Sequence, residues 1–333
     1  MTTKIAINGF GRIGRCVLRA LIENGFDGIE VVAINDLTDA ENLLHLLKYD
    51  SVHGRLTADA ELKDGSLHVA GQTIRMTAER DPAKLPWGDV DVAYECTGFF
   101  TTRDAAAKHL ENGSKRVLIS APGKGVDRTV VYGVNHQDLT AEDVIVSNAS
   151  CTTNCLAPVA KVLDDTFGIE TGYMTTIHAY TGDQPTHDSP HRDPYRGRAA
   201  ALSMVPTSTG AAAAISEVIP HLKGVLEGSA VRVPTANVSL VDLCVMPKKT
   251  ATAEAVNAAM QEASNGALKG VLAYEPAPLV STDFNHDPHS STLAPDQTRV
   301  TDGGMIRVVS WYDNEWGFSN RMNDTARAIA ALI

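Results

Sequence analysis

The sequence lacks several features that would place it in a specialised class of protein. Aromatic residues make up only 5% of its 333 positions, and no run approaches the roughly 18 apolar residues of a membrane-spanning helix. Its five cysteines form no Cys-x-x-Cys pair, which argues against a disulfide framework and a structural zinc site. The net charge of −11 argues against nucleic acid or an anionic membrane as the main partner.

The N-terminus also lacks the pattern of a secretory signal. The stretch "MTTKIAINGF" has no charged segment followed by an apolar one. Together with the cysteine usage, this predicts a cytoplasmic protein without a membrane partner. What is present is a composition typical of a globular protein, with 44% hydrophobic and 21% charged residues, and a length that predicts two domains of about 150 residues each.

The first 150 residues alternate short apolar runs with helix-like segments. Strand patterns are "KIAINGF", "IEVVAIND", "DVAYECTG", "KRVLISAP", "RTVVYGV" and "DVIVSNAS", and "RCVLRALIENGF" is a helix pattern that closes on Gly25. Strands that alternate with helices predict an α/β fold with a mostly parallel sheet covered on both faces.

After Cys151 the pattern changes. A helix is predicted over "TNCLAPVAKVLDDTFG", then a strand over "ETGYMTTIHAYT", and then an irregular loop, "GDQPTHDSPHRDPYRGR". A loop longer than about 12–15 residues inside a compact domain is usually functional. A long helix over "TGAAAAISEVIPHL", strand-like "SAVRVPTANVSLVDLCVMP" of an antiparallel sheet, and a final amphipathic helix over "NRMNDTARAIAALI" follow.

A glycine loop, Gly9-x-Gly11-x-x-Gly14, comes directly after the first strand and opens the first helix, and Asp36 ends the next strand. The order strand, loop, helix, strand and acid is that of a dinucleotide site, in which each glycine serves the turn, the approach to the pyrophosphate or the packing. Asp36 should accept hydrogen bonds from a ribose and repel a 2′-phosphate, which favours NAD. The alternative is an ordinary turn followed by a surface aspartate.

Cys151 lies at a strand-to-helix junction, in "SNASCTTNCLAP". Backbone amides and the helix dipole stabilise a thiolate there and lower its pKa below about 8.5, so we predict a nucleophile. Ser150 and Thr152 are small neighbours that leave room for a substrate and offer hydroxyls. The alternative, a buried structural cysteine, fits Cys16, Cys96 and Cys244, which lie in apolar runs, while Cys155 is a bystander that packs or forms an oxidised pair.

A nucleophilic cysteine needs a general base. His178, in "TTIHAYT", ends a strand at the start of the long loop and is the best candidate among eleven histidines. A structural histidine at a strand end is the alternative. A metal site formed by His286, Asp287 and His289 in "NHDPHS" is disfavoured because no second histidine–carboxylate set has suitable spacing, so we predict no metal.

Six blocks of the sequence together resemble the phosphorylating glyceraldehyde-3-phosphate dehydrogenases. They are "INGFGRIGR", "SNASCTTNCLAP", "HAYTGDQ", "RAAALSMVPTSTGAA", "AVRVPTANVSLVDL" and "SWYDNEWGFSNRM", and they span essentially the full chain. The resemblance implies the glycolytic oxidation of D-glyceraldehyde 3-phosphate to 1,3-bisphosphoglycerate, with reduction of NAD, through a cysteine hemithioacetal and a thioester.

The resemblance also implies the roles of individual residues. Cys151 is the nucleophile and His178 its base. The residues implied for the substrate and inorganic phosphate are Ser150, Thr152, Thr181, Arg196, Thr209, Gly210 and Arg232. The residues implied for the cofactor are Asn8, Gly9, Gly11, Arg12, Ile13, Gly14, Asp36, Arg80, Ser120 and Asn314.

The same resemblance implies the organisation of the chain. Residues 1–150, completed by the C-terminal helix at about 315–333, form a Rossmann-type NAD-binding domain. Residues 151–314 form an α+β catalytic domain on a mostly antiparallel sheet, with an S-shaped loop at about 180–204. The loop lies against a neighbouring subunit's cofactor in a homotetramer.

One departure bears on the choice between NAD and NADP. Ser189-Pro190 stands where many NAD-specific members have Leu-Pro, and serine is found there in NADP-tolerant members. Asp36 and Leu37 still favour NAD.

Three alternative functions are less favoured. Erythrose-4-phosphate dehydrogenase shares the cysteine and the glycine loop but lacks the Thr-Gly pair of "PTSTGAA". Semialdehyde dehydrogenases with a similar layout are less favoured, because the "HAYT…RAAALSM" and "WYDNEWGFSNRM" blocks indicate another family. A nucleic-acid-binding role is disfavoured because the chain is acidic and has no basic patch interleaved with aromatics.

Overall fold

The computed structural model describes residues 2–333. The chain divides into two compact units: the N-terminal unit, Met1–Ser150 with Ser319–Ile333, and the C-terminal unit, Cys151–Phe318. Every helix within residues 2–333 is too short or too polar to span a bilayer.

Within residues 2–150, the N-terminal unit contains eleven strands and four helices. The strands are β1 (Thr3–Asn8), β2 (Ile29–Asn35), β3 (Tyr49–Asp50), β4 (Gly54–Arg55), β5 (Ala60–Lys63), β6 (Ser66–Val69), β7 (Gln72–Thr77), β8 (Val92–Glu95), β9 (Arg116–Ile119), β10 (Arg128–Thr129) and β11 (Ile145–Ser147). The helices are α1 (Arg12–Glu23), α2 (Ala40–Lys48), α3 (Arg103–Ala106) and α4 (Lys108–Glu111).

The main sheet of this unit has nine strands in the order β10-β11-β9-β8-β1-β2-β7-β6-β5. Pairing is parallel from β10 to β7, and antiparallel only where β6 joins β7 and β5 joins β6. The central strand β1 is fully buried at Ile5 and Ile7, as expected for a strand covered on both faces. The predicted α/β class with a mostly parallel sheet is confirmed.

The predicted strand over "RTVVYGV" is shorter in the structure. Only Arg128–Thr129 pair, because the side chain of Asn135 folds the following residues into a turn. Its Oδ1 accepts from the backbone amide of Val131 (2.8 Å), and its Nδ2 donates to the carbonyl of Thr129 (2.9 Å). An asparagine side chain that bonds to nearby backbone competes with a sheet ladder.

The C-terminal unit contains eight strands and three complete helices. The strands are β12 (Ile169–Ala179), β13 (Val205–Ser208), β14 (Leu226–Val233), β15 (Ser239–Pro247), β16 (Leu272–Tyr274), β17 (Ser291–Leu293), β18 (Arg299–Val300) and β19 (Ile306–Tyr312). The helices are α5 (Cys151–Phe167), α6 (Ala211–Val218) and α7 (Ala253–Asn265); the last helix of the chain, α8 (Trp316–Ala330), begins here and continues into the N-terminal unit.

The sheet of this unit has eight strands in the order β13-β14-β12-β15-β19-β17-β16, with β18 paired to β19. It is mostly antiparallel, as predicted, but β12 and β14 are parallel and so are β16 and β17. The parallel pair matters for the site, since it places His178 on β12 directly opposite Arg232 on β14.

Three predicted elements have different bounds. The helix predicted through Leu222 stops at Val218, because Pro220 begins a separate 3-10 turn. The single strand-like run from Ser229 to Pro247 is two strands, separated by a turn in which Val238 has a φ of 68°. Helix α8 starts at Trp316, four residues before the predicted segment, where Asp313 Oδ1 accepts from the amides of Glu315 (2.9 Å) and Trp316 (2.8 Å).

The long irregular loop is confirmed. Residues 180–204, all of which the structure describes, form turns without a helix or strand between β12 and β13. The loop is held by its own hydrogen bonds, such as that from the Ser189 amide to the carbonyl of Gly197 (2.9 Å). It therefore carries its residues in a defined conformation next to the end of β12.

Candidate active site

The thiol of Cys151 and the imidazole of His178 face each other in the C-terminal unit. Cys151 is the first residue of α5, and its Sγ lies 3.5 Å from Nε2 of His178, near the end of β12. The turn that leads into α5 holds Ala149 at a φ of 56°, a conformation that non-glycine residues adopt rarely. The two predicted catalytic residues are therefore within reach for proton transfer.

A contact with the backbone orients the imidazole ring of His178. Its Nδ1 lies 2.7 Å from the carbonyl oxygen of Ala179, an atom that can only accept a hydrogen bond. This carbonyl favours the tautomer with the hydrogen on Nδ1, in which the lone pair of Nε2 points at the thiol, whereas Arg232 Nη1, a donor 3.0 Å from the same Nδ1, favours the other tautomer. The ring also meets the ring of Tyr312 edge-on at 5.9 Å, and His178 is buried.

The pKa of the Cys151 thiol shifts in the direction opposite to the sequence prediction. Burial raises the pKa of Cys151 above its usual value, although Arg232, the hydroxyl and amide of Thr152 and its own backbone amide act in the opposite direction. The predicted lowering of the pKa is wrong, because desolvation outweighs the helix amides. Burial, together with the charge of Arg232, lowers the pKa of His178 to about 3, so the imidazole is a neutral base at pH 7.

Two arginines lie beside this pair. Arg232 Nη1 is 3.0 Å from His178 Nδ1 and donates to Thr181 Oγ1 (3.0 Å). The hydroxyl of Thr181 donates to Asp183, whose other oxygen accepts from Arg196 Nη1 (3.0 Å). Thr181, Arg196 and Arg232 thus form one connected cluster next to His178, and guanidinium groups of this kind are suited to bind anions.

Arg196 is held in place by Thr207 on β13. Its Nε donates to Thr207 Oγ1 (3.1 Å), and that hydroxyl donates to Asp193 (2.7 Å). Thr209 and Gly210 lie two and three residues further on, at the start of α6. The Thr209 hydroxyl accepts from the amide of Ala211 (3.2 Å), and Gly210 is exposed with open space where a Cβ would lie.

Two further predicted residues, Thr152 and Asn314, are hydrogen-bonded to buried side chains. The hydroxyl of Thr152 bonds to that of Tyr312 (2.8 Å) in the core, and Thr152 also hydrogen-bonds to the Cys151 thiol. Asn314 Oδ1 accepts from Ser239 Oγ (2.8 Å), which itself accepts from the amide of Ala179 (3.0 Å). The Asn314 oxygen is therefore engaged, which leaves its Nδ2 as the group to offer to a ligand.

The side chains considered for a metal are occupied by protein contacts. The ring of His286 stacks on Trp316 at 3.6 Å. Asp287 Oδ1 accepts from His289 Nδ1 (2.7 Å), and its Oδ2 accepts from Thr292 (2.8 Å). These contacts support the structural alternative for the three residues.

The N-terminal unit contains a separate cavity of about 460 Å³ around the glycine loop. This volume suits a small-molecule or cofactor site, for which about 300–1,000 Å³ is usual. Its lining residues are Asn8, Gly9, Gly11, Asn35, Asp36, Leu37, Glu79, Arg80, Cys96, Thr97, Phe99 and Phe100.

The cavity fits a dinucleotide. A Cβ at Gly9 would lie 2.7 Å from the backbone nitrogen of Thr97, and one at Gly14 would lie 2.2 Å from the carbonyl oxygen of Gly9, so both positions require glycine. At Gly11 the space is open, as an approaching pyrophosphate needs. Leu37 and Phe99 expose 54% and 85% of their surface, which provides apolar walls for a flat ring.

The other predicted cofactor residues fall into two groups. Asn8, Asp36 and Arg80 line the cavity, and Asp36 accepts from the amides of Phe10 (2.8 Å) and Thr38 (2.9 Å). Arg12, Ile13 and Ser120 are outside its lining. Arg12 pairs with Asp50 (2.5 Å), and Ser120 bonds to the cavity residue Cys96.

The two inner glycines of the loop give a matched pair of predictions. Gly14→Ala should lower the free energy of unfolding by about 1–3 kcal/mol or more, because its methyl would overlap the Gly9 carbonyl. Gly11→Ala should leave the melting temperature near that of the wild type and weaken NAD binding, because its methyl enters the cavity. Thermal unfolding and calorimetric titration of both variants test this, and an equal loss of stability in the two would contradict it.

Sequence reasoning missed several residues of both sites. Asp183, Thr207 and Ser239 orient the predicted residues without carrying a recognisable pattern. In the cofactor cavity, Asn35 and Thr97 were also missed, although Asn35 ends β2, Thr97 lies two residues after the end of β8, and both strands pair with β1 in parallel. The carboxyl ends of parallel strands are where ligands bind in open α/β sheets, so that rule would have found them.

Comparisons with known proteins agree with both halves of the chain. Residues 150–314 match the family "Glyceraldehyde 3-phosphate dehydrogenase, C-terminal domain", and residues 3–103 match "Glyceraldehyde 3-phosphate dehydrogenase, NAD binding domain". The glyceraldehyde-3-phosphate dehydrogenase of Cereibacter sphaeroides is 62% identical over 333 residues, covering 100% of both chains. The glyceraldehyde-3-phosphate dehydrogenase of Xanthobacter flavus is 59% identical and covers 100% of both chains. Glyceraldehyde-3-phosphate dehydrogenase 1 of Bacillus subtilis is 58% identical and covers 99% of both.

Proposed function

The chain belongs to the glyceraldehyde-3-phosphate dehydrogenase family, and we propose that it oxidises D-glyceraldehyde 3-phosphate to 1,3-bisphosphoglycerate with reduction of NAD. The observation that carries this function is the thiol of Cys151 at 3.5 Å from a neutral His178 base, with Arg232 and Arg196 in one cluster beside it. The erythrose-4-phosphate alternative is not favoured, since relatives 58% to 62% identical over the full chain are named for the triose.

The oxidation half of the reaction uses the thiol and its base. Cys151 Sγ attacks the aldehyde carbon while His178 Nε2 takes the thiol proton and passes it to the carbonyl oxygen, which gives a hemithioacetal. His178 then removes that hydroxyl proton as the carbon–hydrogen bond breaks, and a thioester on Cys151 remains. Bound NAD supplies the hydride acceptor for this step.

The second half transfers the acyl group to inorganic phosphate. A phosphate oxygen attacks the thioester carbon, the carbon–sulfur bond breaks, and the departing sulfur recovers a proton from His178. Two anions must then lie near one thiol in an acidic protein, and two guanidinium groups meet that need. We assign Thr181 and Arg232 to the phosphate of the substrate, and Ser150, Thr209, Gly210 and Arg196 to the attacking phosphate.

The cofactor would be held by the cavity of the N-terminal unit. Gly9, Gly11 and the start of α1 would receive the pyrophosphate, and Asp36 would receive a ribose. Asn314 Nδ2 would donate to the nicotinamide carboxamide, since its Oδ1 already accepts from Ser239. We assign residues 1–150 with about 315–333 to NAD binding and residues 151–314 to catalysis.

Asp36 should control the choice between NAD and NADP. Its carboxylate would repel a 2′-phosphate, so wild-type kcat/KM should be much higher with NAD, and Asp36→Ala should reduce that preference about 10- to 100-fold. Steady-state rates with both cofactors measure this. Comparable efficiency of the wild type with NADP would contradict strict NAD specificity and would point to Ser189 as the determinant.

We also propose a homotetramer in the cytoplasm. The loop at residues 180–204 exposes apolar side chains, with Leu202 at 82% and Met204 at 76%, which supports a subunit interface there. Five cysteines, none of them in a disulfide within residues 2–333, suit a reducing compartment.

The proposed function is tested by NADH formation from glyceraldehyde 3-phosphate and from erythrose 4-phosphate, each with and without inorganic phosphate. Fast, phosphate-dependent turnover of the triose is expected. Preference for the tetrose, or a rate indifferent to phosphate, would contradict the assignment and remove Thr209 and Gly210 from the site.

A further inference from the structure

A buried carboxylate below the cofactor cavity takes no part in the mechanism described above. Glu95 ends β8, and its side chain is fully buried together with that of His109 on α4. Its Oε1 accepts from the amide (2.8 Å) and the hydroxyl of Thr97, and its Oε2 accepts from Asn8 Nδ2 (2.7 Å) and His109 Nε2 (2.9 Å). Four donors therefore converge on one carboxylate.

From Glu95, a hydrogen-bonded series of amide side chains continues through Asn8 and Asn35 along the cavity. Asn8 Oδ1 accepts from Asn35 Nδ2 (2.8 Å), and the same Nδ2 donates to the carbonyl of Glu79 (2.8 Å). Asn35 Oδ1 accepts from the amide of Glu79 (2.8 Å) and from the hydroxyl of Thr77 (2.9 Å). Asn8, Asn35, Glu79 and Thr97 all line the cofactor cavity, whereas Glu95 does not.

Backbone groups fix the direction of the hydrogen bonds that run from Glu79 through Asn35 and Asn8 to position 95. The amide and carbonyl of Glu79 cannot exchange roles, so Asn35 has only one satisfied orientation, and this orientation in turn fixes that of Asn8. Asn8 must then present Nδ2 to position 95, while Thr97 presents its backbone N–H from the other side. Position 95 has to accept on both oxygens, which an ionised carboxylate does and a glutamine does not.

We propose that Glu95 is a positioning residue for the cofactor: its carboxylate sets the direction of the hydrogen bonds that hold Asn8, Asn35 and Thr97 in the shape that NAD binds. This role rests on the proposed cofactor function of the cavity. Glu95→Gln keeps the volume of the side chain but turns an NH2 group toward either Asn8 or Thr97, which leaves buried donors facing each other.

The test combines two substitutions that move the negative charge from position 95 to position 8. In Asn8→Asp with Glu95→Gln, the new NH2 group at position 95 donates to the new carboxylate at position 8. That carboxylate still accepts from Asn35, and His109 accepts at Nε2 after a change of tautomer. Glu95→Gln alone should weaken binding of NAD and of ADP-ribose by at least about tenfold in calorimetric titration. The double variant should recover most of that loss, and Asn8→Asp alone should not bind better than the double variant.

Controls separate this role from general loss of structure. Glu262→Gln, an exposed carboxylate on α7, should bind both nucleotides like the wild type. Alkylation of Cys151 by iodoacetamide should proceed at the wild-type rate in Glu95→Gln, because the thiol belongs to the other unit.

The outcomes are distinct. Wild-type affinity in Glu95→Gln would overturn the positioning role and leave the proposed function standing. A double variant that fails to fold, or binds no better than Glu95→Gln, would also overturn it, whether or not the single variant folds. A wild-type protein that bound neither nucleotide would overturn the proposed function of the cavity, and the role of Glu95 with it.

Discussion

Replacement of Cys151 by serine is expected to abolish NADH formation, with a loss of at least about 10⁴-fold in kcat. The hydroxyl of serine is a far weaker nucleophile than a thiolate, and His178, the adjacent base, serves no other nucleophile. NAD affinity should be retained, because the glycine loop and its cavity belong to the N-terminal unit. Steady-state NADH formation and calorimetric titration with NAD measure the two properties separately.

Cys155→Ser is the matched control for this variant. Cys155 lies one helical turn further along α5, is fully buried, and contacts the hydroxyl of Ser291 at 3.5 Å. Burial raises its pKa to about 12, so it is not a thiolate at neutral pH. The control should keep wild-type activity. If Cys151→Ser retained activity while Cys155→Ser lost it, the nucleophile would be Cys155.

Replacement of His178 by asparagine is expected to lower kcat by about 10²–10⁴-fold, the usual contribution of a positioned general base. The thiol's pKa is raised by burial, so removal of its proton depends on the neighbouring Nε2. The imidazole is neutral at pH 7 because its own pKa is lowered to about 3, and the loss should therefore be full at that pH. NAD affinity and the melting temperature should change little.

His221→Asn provides the control for the imidazole. His221 bonds to Asp164 at the surface and lies outside the site, so its loss should leave kcat unchanged. Turnover of His178→Asn at the wild-type rate would show that another group removes the proton. A fall in NAD affinity of similar size would instead indicate that the substitution disturbs the fold.

Local sequence patterns predicted the elements that depend on neighbours in the chain. Alternating strands and helices predicted the parallel sheet, and the glycine spacing predicted the loop at Gly9, where a Cβ has no room. Gly168 ends α5, with a φ of 69°, where the pattern places it. These features follow from steric rules that act over a few residues.

What the sequence did not predict depends on register and burial. His178 and Arg232 meet because two strands more than fifty residues apart pair in parallel at those positions. The direction of the Cys151 pKa shift depends on how deeply the thiol is desolvated, and a helix start in the sequence cannot show that. Glu95 and His109 are separated along the chain and carry no motif, so only the folded structure identifies their contact.

The most direct measurement of the central claim is a single turnover without phosphate. The protein is mixed with NAD and glyceraldehyde 3-phosphate, NADH is followed with time, and the protein is then digested for peptide mass spectrometry. We expect a burst of one NADH per subunit, an acyl adduct on Cys151, and continued turnover when inorganic phosphate is added. Absence of the burst, or an adduct on a residue other than Cys151, would contradict the account.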